Sequence, residues 1–68
     1  MLTDEQLGWI AEYRRDEEIG RMARELLALR KLARAELAAT AAELAGRDAH
    51  DEWAAVQQAQ TELDEVTR

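Results

Sequence analysis

His50 is the only histidine in the sequence, and it stands among three carboxylates, Asp48, Asp51 and Glu52. Residues of these types could hold a divalent metal or relay a proton. Their spacing serves neither chemistry. A helical metal pair needs ligands three or four residues apart on one face, and from His50 those positions are Trp53 and Ala54. A catalytic imidazole also needs an orienting partner and a concave pocket. The acids read instead as the start of a helix: Asp48 at the N-cap, with Asp51 and Glu52 in the first turn, where the helix dipole favours negative charge. Glu62 and Glu65, three apart, read as a solvated face. With no cysteine in the sequence, a thiol nucleophile, a Cys-based zinc site and a disulfide framework are all excluded. We find no catalytic, cofactor-binding or metal-binding constellation, and the chain is expected not to be an enzyme.

The second group with chemical potential is basic. Arg21, Arg24, Arg30, Lys31 and Arg34 fall within one segment and could form a phosphate-binding stripe. At helical spacing, however, they cover about half the circumference of a helix. Glu25 interrupts them, no aromatic side chain is interleaved for base stacking, and the overall pI is about 4.6. Interhelical or solvated ion pairs are the favoured reading, so nucleic acid is not the expected partner. A small dimeric nucleic-acid-binding protein using this stripe is kept as the alternative. A further alternative is an acidic helical inhibitor that presents Asp51, Glu52, Glu62, Asp64 and Glu65 to another protein's basic surface.

These groups must be carried by some framework, and it is small. The 68 residues hold 35% charged and 4% aromatic side chains, three glycines and no proline. Chains this short rarely build enough core without disulfides, metal or association, which leaves association. Net charge is −4 over residues 1–18, +4 over 19–35 and −6 over 36–68. A basic middle between acidic ends suits antiparallel helices of complementary charge. Apolar runs are too short to span a membrane, and the acidic N-terminus lacks the pattern of a signal peptide, so a cytoplasmic location is expected. Eight arginines against one lysine, with fourteen alanines, point to a GC-rich coding genome such as that of an actinobacterium or its phage.

Helix-forming residues dominate throughout. Thr3-Asp4-Glu5-Gln6 has the form of a capping box, and Gly46 suits the left-handed position just past a helix end. The expected fold is all-α: one small domain over residues 1–68, forming a helical hairpin. A long first helix at about 4–45 and a shorter second at about 49–67 are joined by a tight turn at 46–48. Coiled-coil-like seams are expected at Ile19, Met22, Leu26, Leu29, Ala33, Leu37, Thr40 and Leu44 on the first helix, and at Ala49, Trp53, Val56, Gln60, Leu63 and Thr67 on the second. Folding about Arg47 sets Leu37 near Val56, Ala33 near Gln60 and Leu29 near Leu63, and completion as a dimeric bundle is expected. On that basis Leu29→Ala or Leu37→Ala should cost about 2–5 kcal/mol as core truncations.

Residues 1–18 overhang this hairpin. They carry Leu2, Leu7, Trp9, Ile10 and Tyr13, an interaction surface for a second copy or another protein. The segment either continues the first helix or breaks from it near Asp16, and the i,i+4 pairs Arg14–Glu18 and Glu17–Arg21 favour continuity. Gly20 marks a hinge or a close approach of another helix. The expected function is that of a small interaction or regulatory protein that self-associates and binds a protein partner through helix–helix contacts.

Overall fold

The computed structural model describes residues 1–67, and it is all-helical, with three helices rather than two: α1 (Asp4–Tyr13), α2 (Glu18–Leu44) and α3 (His50–Thr67). α1 begins as its capping box dictates. The Thr3 hydroxyl accepts the Gln6 amide at 3.1 Å, and the Gln6 side chain accepts the Thr3 amide at 2.9 Å.

The continuous first helix expected from the sequence is broken. Arg14 closes α1 by donating its amide to Ile10, and the Glu17 amide then returns to the Arg14 carbonyl at 2.9 Å. An ion pair between the Arg14 and Glu17 side chains spans the same turn. This pair replaces the Arg14–Glu18 and Glu17–Arg21 pairs that continuity would have used. Gly20 makes the reversal sterically feasible. A Cβ at Gly20 would lie 1.8 Å from the Arg14 carbonyl oxygen and 2.5 Å from its carbon. Hinge and close approach are therefore one feature: α2 passes against the backbone of the turn that it leaves.

The other end of α2 is closed as the sequence indicates. Gly46 takes φ +77°, its amide donates to Glu43, and the Arg47 amide reaches back to Ala42. This pair of bonds satisfies the last carbonyls of a helix whose C-terminal cap, Ala45, is followed by a left-handed residue. Asp48 then accepts the His50 amide at 3.0 Å, and α3 starts one residue later than expected.

Cross-helix bonds set the directions. Asp4 pairs with Arg30 and Arg34, at the start of α1 and the middle of α2, while the Arg14 carbonyl lies against Gly20. Lys31 pairs with Glu62 at 2.7 Å, and the Trp53 indole N–H donates to Glu43. α1 and α3 therefore both run antiparallel to α2, and each packs on α2 without touching the other. The Cα atoms extend 44 × 25 × 12 Å, and with no contact between α1 and α3 the helices form one open layer. A single layer encloses little. Among the described residues Leu7 is the one large side chain fully buried; the other buried apolar residues are alanines. No described helix is long and apolar enough to cross a membrane.

Candidate interaction surface

α2 presents three faces, roughly 120° apart at the α-helical repeat. Gly20 and Ala23 are buried and Leu27 and Arg30 half-buried along the face toward α1. Ala28, Ala39 and Ala42 are buried, and Leu32 and Ala35 half-buried, along the face toward α3. The third face carries the stripe singled out in the sequence, Ile19 to Leu44, within an arc of about 80°. Among the described residues no helix packs squarely on it, and only Leu2, Leu7 and Ile10 border its N-terminal half. Ile19 is 52% exposed, Leu29 49%, Leu37 71% and Leu44 85%.

The intramolecular seam thus lies on a different face of α2 from the one expected. Its residues are Ala28, Leu32, Ala35, Ala39 and Ala42, which step by four, three, four and three. That spacing is more regular than the leucine stripe. Small side chains let two helix axes approach closely, whereas the expected Leu29–Leu63 and Leu37–Val56 contacts would hold them apart. α3 is turned to match: Glu52, Val56, Leu63 and Val66 are half-buried and Ala59 is buried. Ala49 is buried too, but Gln60 and Trp53 are exposed at the edge. Glu52 stands among these residues with its Oε2 buried and without a hydrogen-bond partner.

The N-terminal cluster divides. Leu7, expected to contribute to an interaction surface, is 2% exposed and forms the core beneath α1. Trp9 and Tyr13 stay outside, 57% and 70% exposed, with ring centroids 4.9 Å apart and planes tilted by 31°. Leu2 and Ile10 join them to the α2 stripe. Together with Leu7 they form one wall of an open apolar groove of about 440 Å³, whose other wall is Ile19, Met22, Leu26 and Leu29.

Most of the basic stripe is engaged within the chain: Lys31 pairs with Glu62 and three arginines bond α1 or the turn after it, while Arg21 is exposed and makes no ion pair among the described residues. Arg30 Nη1 donates to the Leu2 carbonyl at 2.8 Å and to Asp4 at 3.0 Å, Arg34 pairs with the same carboxylate, and Arg24 donates to the Arg15 carbonyl at 3.1 Å. Hydrogen bonds from Arg34 and then Arg30 hold the Asp4 carboxyl below its ordinary pKa, outweighing partial desolvation. The Asp4 anchorage of α1 was not foreseen; complementary charge between residues 1–18 and 19–35 was the available signal. His50 is exposed at the start of α3, and the described residues contain no metal-ligand cluster.

No family model, curated protein or solved structure matches this chain. The surface must therefore be read from its own chemistry, which is that of two helices offering apolar side chains.

Proposed function

We propose that this chain is a non-enzymatic interaction protein of regulatory type, which self-associates and binds a protein partner through helix–helix contacts. The observation that carries this reading is the third face of α2. Most of its large apolar side chains stand in water, while the fully buried positions on the two internal faces are glycine and alanine, with Leu27 and Leu32 only half-buried beside them. Leaving them there forgoes the main driving force available to so small a chain. An uncovered stripe of this length is also larger than the scattered apolar residues of an ordinary monomer surface. Trp9 and Tyr13 supply the aromatic anchors typical of a protein-binding edge.

Sedimentation equilibrium on the full chain, with far-UV circular dichroism on the same samples, tests the self-association half. The expected result is a helical oligomer whose mass falls on dilution, and whose Leu37→Asp variant is a helical monomer. Leu37 makes no use of the intramolecular core, so this variant should fold. An unchanged mass for Leu37→Asp would show that the α2 face is not the one used.

A further inference from the structure

We infer that the open face of α2 is covered by a second copy of the chain in parallel orientation, α2 against α2, with Met22, Leu29 and Thr40 each facing their own counterparts. The inference rests on the self-association proposed above and adds the occupant's geometry.

Area is the first argument. A compact monomer of 7.7 kDa should expose about 4,300 Å². This chain exposes 5277 Å². The excess, about 900–1,000 Å², is close to the roughly 800 Å² that each partner buries in a standard protein interface. Length is the second. From Ile19 to Leu44 the stripe runs about 38 Å, and the element that matches it end to end is another α2.

Charge decides the direction. Glu18, Glu25, Glu36 and Glu43 line one flank of the stripe at helical phase, and Arg30 and Arg34 line the other. Antiparallel pairing of two identical helices sets like flanks together, acid against acid along the whole seam. Parallel pairing sets unlike flanks together and brings Glu25 of each copy beside Arg30 of the other. Arg30 bonds α1 through Nη1, and its guanidinium carries further N–H donors for this contact.

The sequence contains no cysteine, so single cysteines report on geometry without background. Met22→Cys and Thr40→Cys lie near opposite ends of the stripe. In the parallel dimer each forms a disulfide with its own copy on mild oxidation, because facing seam positions lie within the roughly 4.4–6.8 Å Cα separation that a disulfide accepts. Mixing the two variants should give no heterodimer. Glu25→Arg, which faces Arg30 across a parallel seam, should raise the dimer Kd about five- to tenfold. In an antiparallel seam the same change would relieve repulsion and lower the Kd.

A Met22–Thr40 mixed disulfide, or a tighter Glu25→Arg dimer, overturns the parallel arrangement while the self-association reading stands. A dimer with no cross-link in any combination also overturns it, by moving the seam to another face. A chain that remains monomeric at every concentration overturns both.

Discussion

Gly20→Ala puts a methyl group where the Arg14 carbonyl already stands, 1.8 Å from its oxygen. Carbon atoms make favourable contact at about 3.5–4.0 Å, so the overlap is far too large for a rotamer change to absorb. The obstructing atoms are backbone, and relief requires the 14–17 turn to open. Opening undocks α1 and returns Leu7, 2% exposed in the folded chain, to water at a cost of about 1.5–3 kcal/mol. Against this, alanine in a helix interior gains about 1 kcal/mol over glycine. The net expectation is a loss of about 0.5–2 kcal/mol, with helix content unchanged or higher as α1 and α2 fuse through the former turn. Gly8→Ala is the control. Nothing lies within 4 Å of a Cβ there, so the propensity gain should appear unopposed as about 0.5–1 kcal/mol of added stability. Thermal unfolding followed by circular dichroism reads the opposite signs, about 4–8 °C in Tm per kcal/mol for a domain of this size. Nuclear Overhauser contacts from the Leu7 methyls to α2 should persist in Gly8→Ala and vanish in Gly20→Ala. If Gly20→Ala melts as high as Gly8→Ala with those contacts intact, the steric account of the turn is refuted.

Leu7→Ala should cost about 1.5–3 kcal/mol, the worth of the buried side chain, and release α1, seen as lost amide protection over residues 4–13. By contrast Leu37→Ala, at a position 71% exposed, should change the stability of the isolated chain by no more than about 0.5 kcal/mol while lowering the mass at sedimentation equilibrium; the 2–5 kcal/mol expected from the sequence requires burial that the chain alone does not provide. The Asp4 carboxyl is depressed by Arg34 and Arg30, so its stabilising contribution is complete above the unfolded value of about 3.9 and is lost as pH falls through the folded one. Amide protection in α1 should therefore drop on acidification below about pH 4, and Asp4→Asn should remove that acid limb. Glu52→Leu takes a carboxylate oxygen without a partner out of the α2–α3 seam and should stabilise the chain by about 1 kcal/mol, measured by urea unfolding.

The helix boundaries that local chemistry controls were legible in the residues. The Thr3–Gln6 capping box and the left-handed Gly46 depend on neighbours a few positions away, and both are found; Asp48 bonds the His50 amide at the start of α3, standing one residue before the cap position rather than at it. The seam is harder to read, because large apolar side chains are the usual sign of burial. In α2 that signal marks the face left exposed, whereas the Ala28–Leu32–Ala35–Ala39–Ala42 row carries the same spacing in smaller residues. The N-terminal surface was half legible: Trp9 and Tyr13 are outside, but Leu7, in the same segment, is buried. Helical phase separates them, and only the docking direction of α1 says which phase faces inward.

Helical character, the start of α1, the C-terminal end of α2 and the want of a self-sufficient core are properties of the sequence by itself, since propensity, capping and composition act within a few residues or on the chain as a whole. The break between α1 and α2, the choice of the alanine face over the leucine face and the pairing of Asp4 with Arg30 and Arg34 belong to the tertiary structure. Each is a competition between two locally acceptable arrangements, and contacts between residues distant in the sequence settle it.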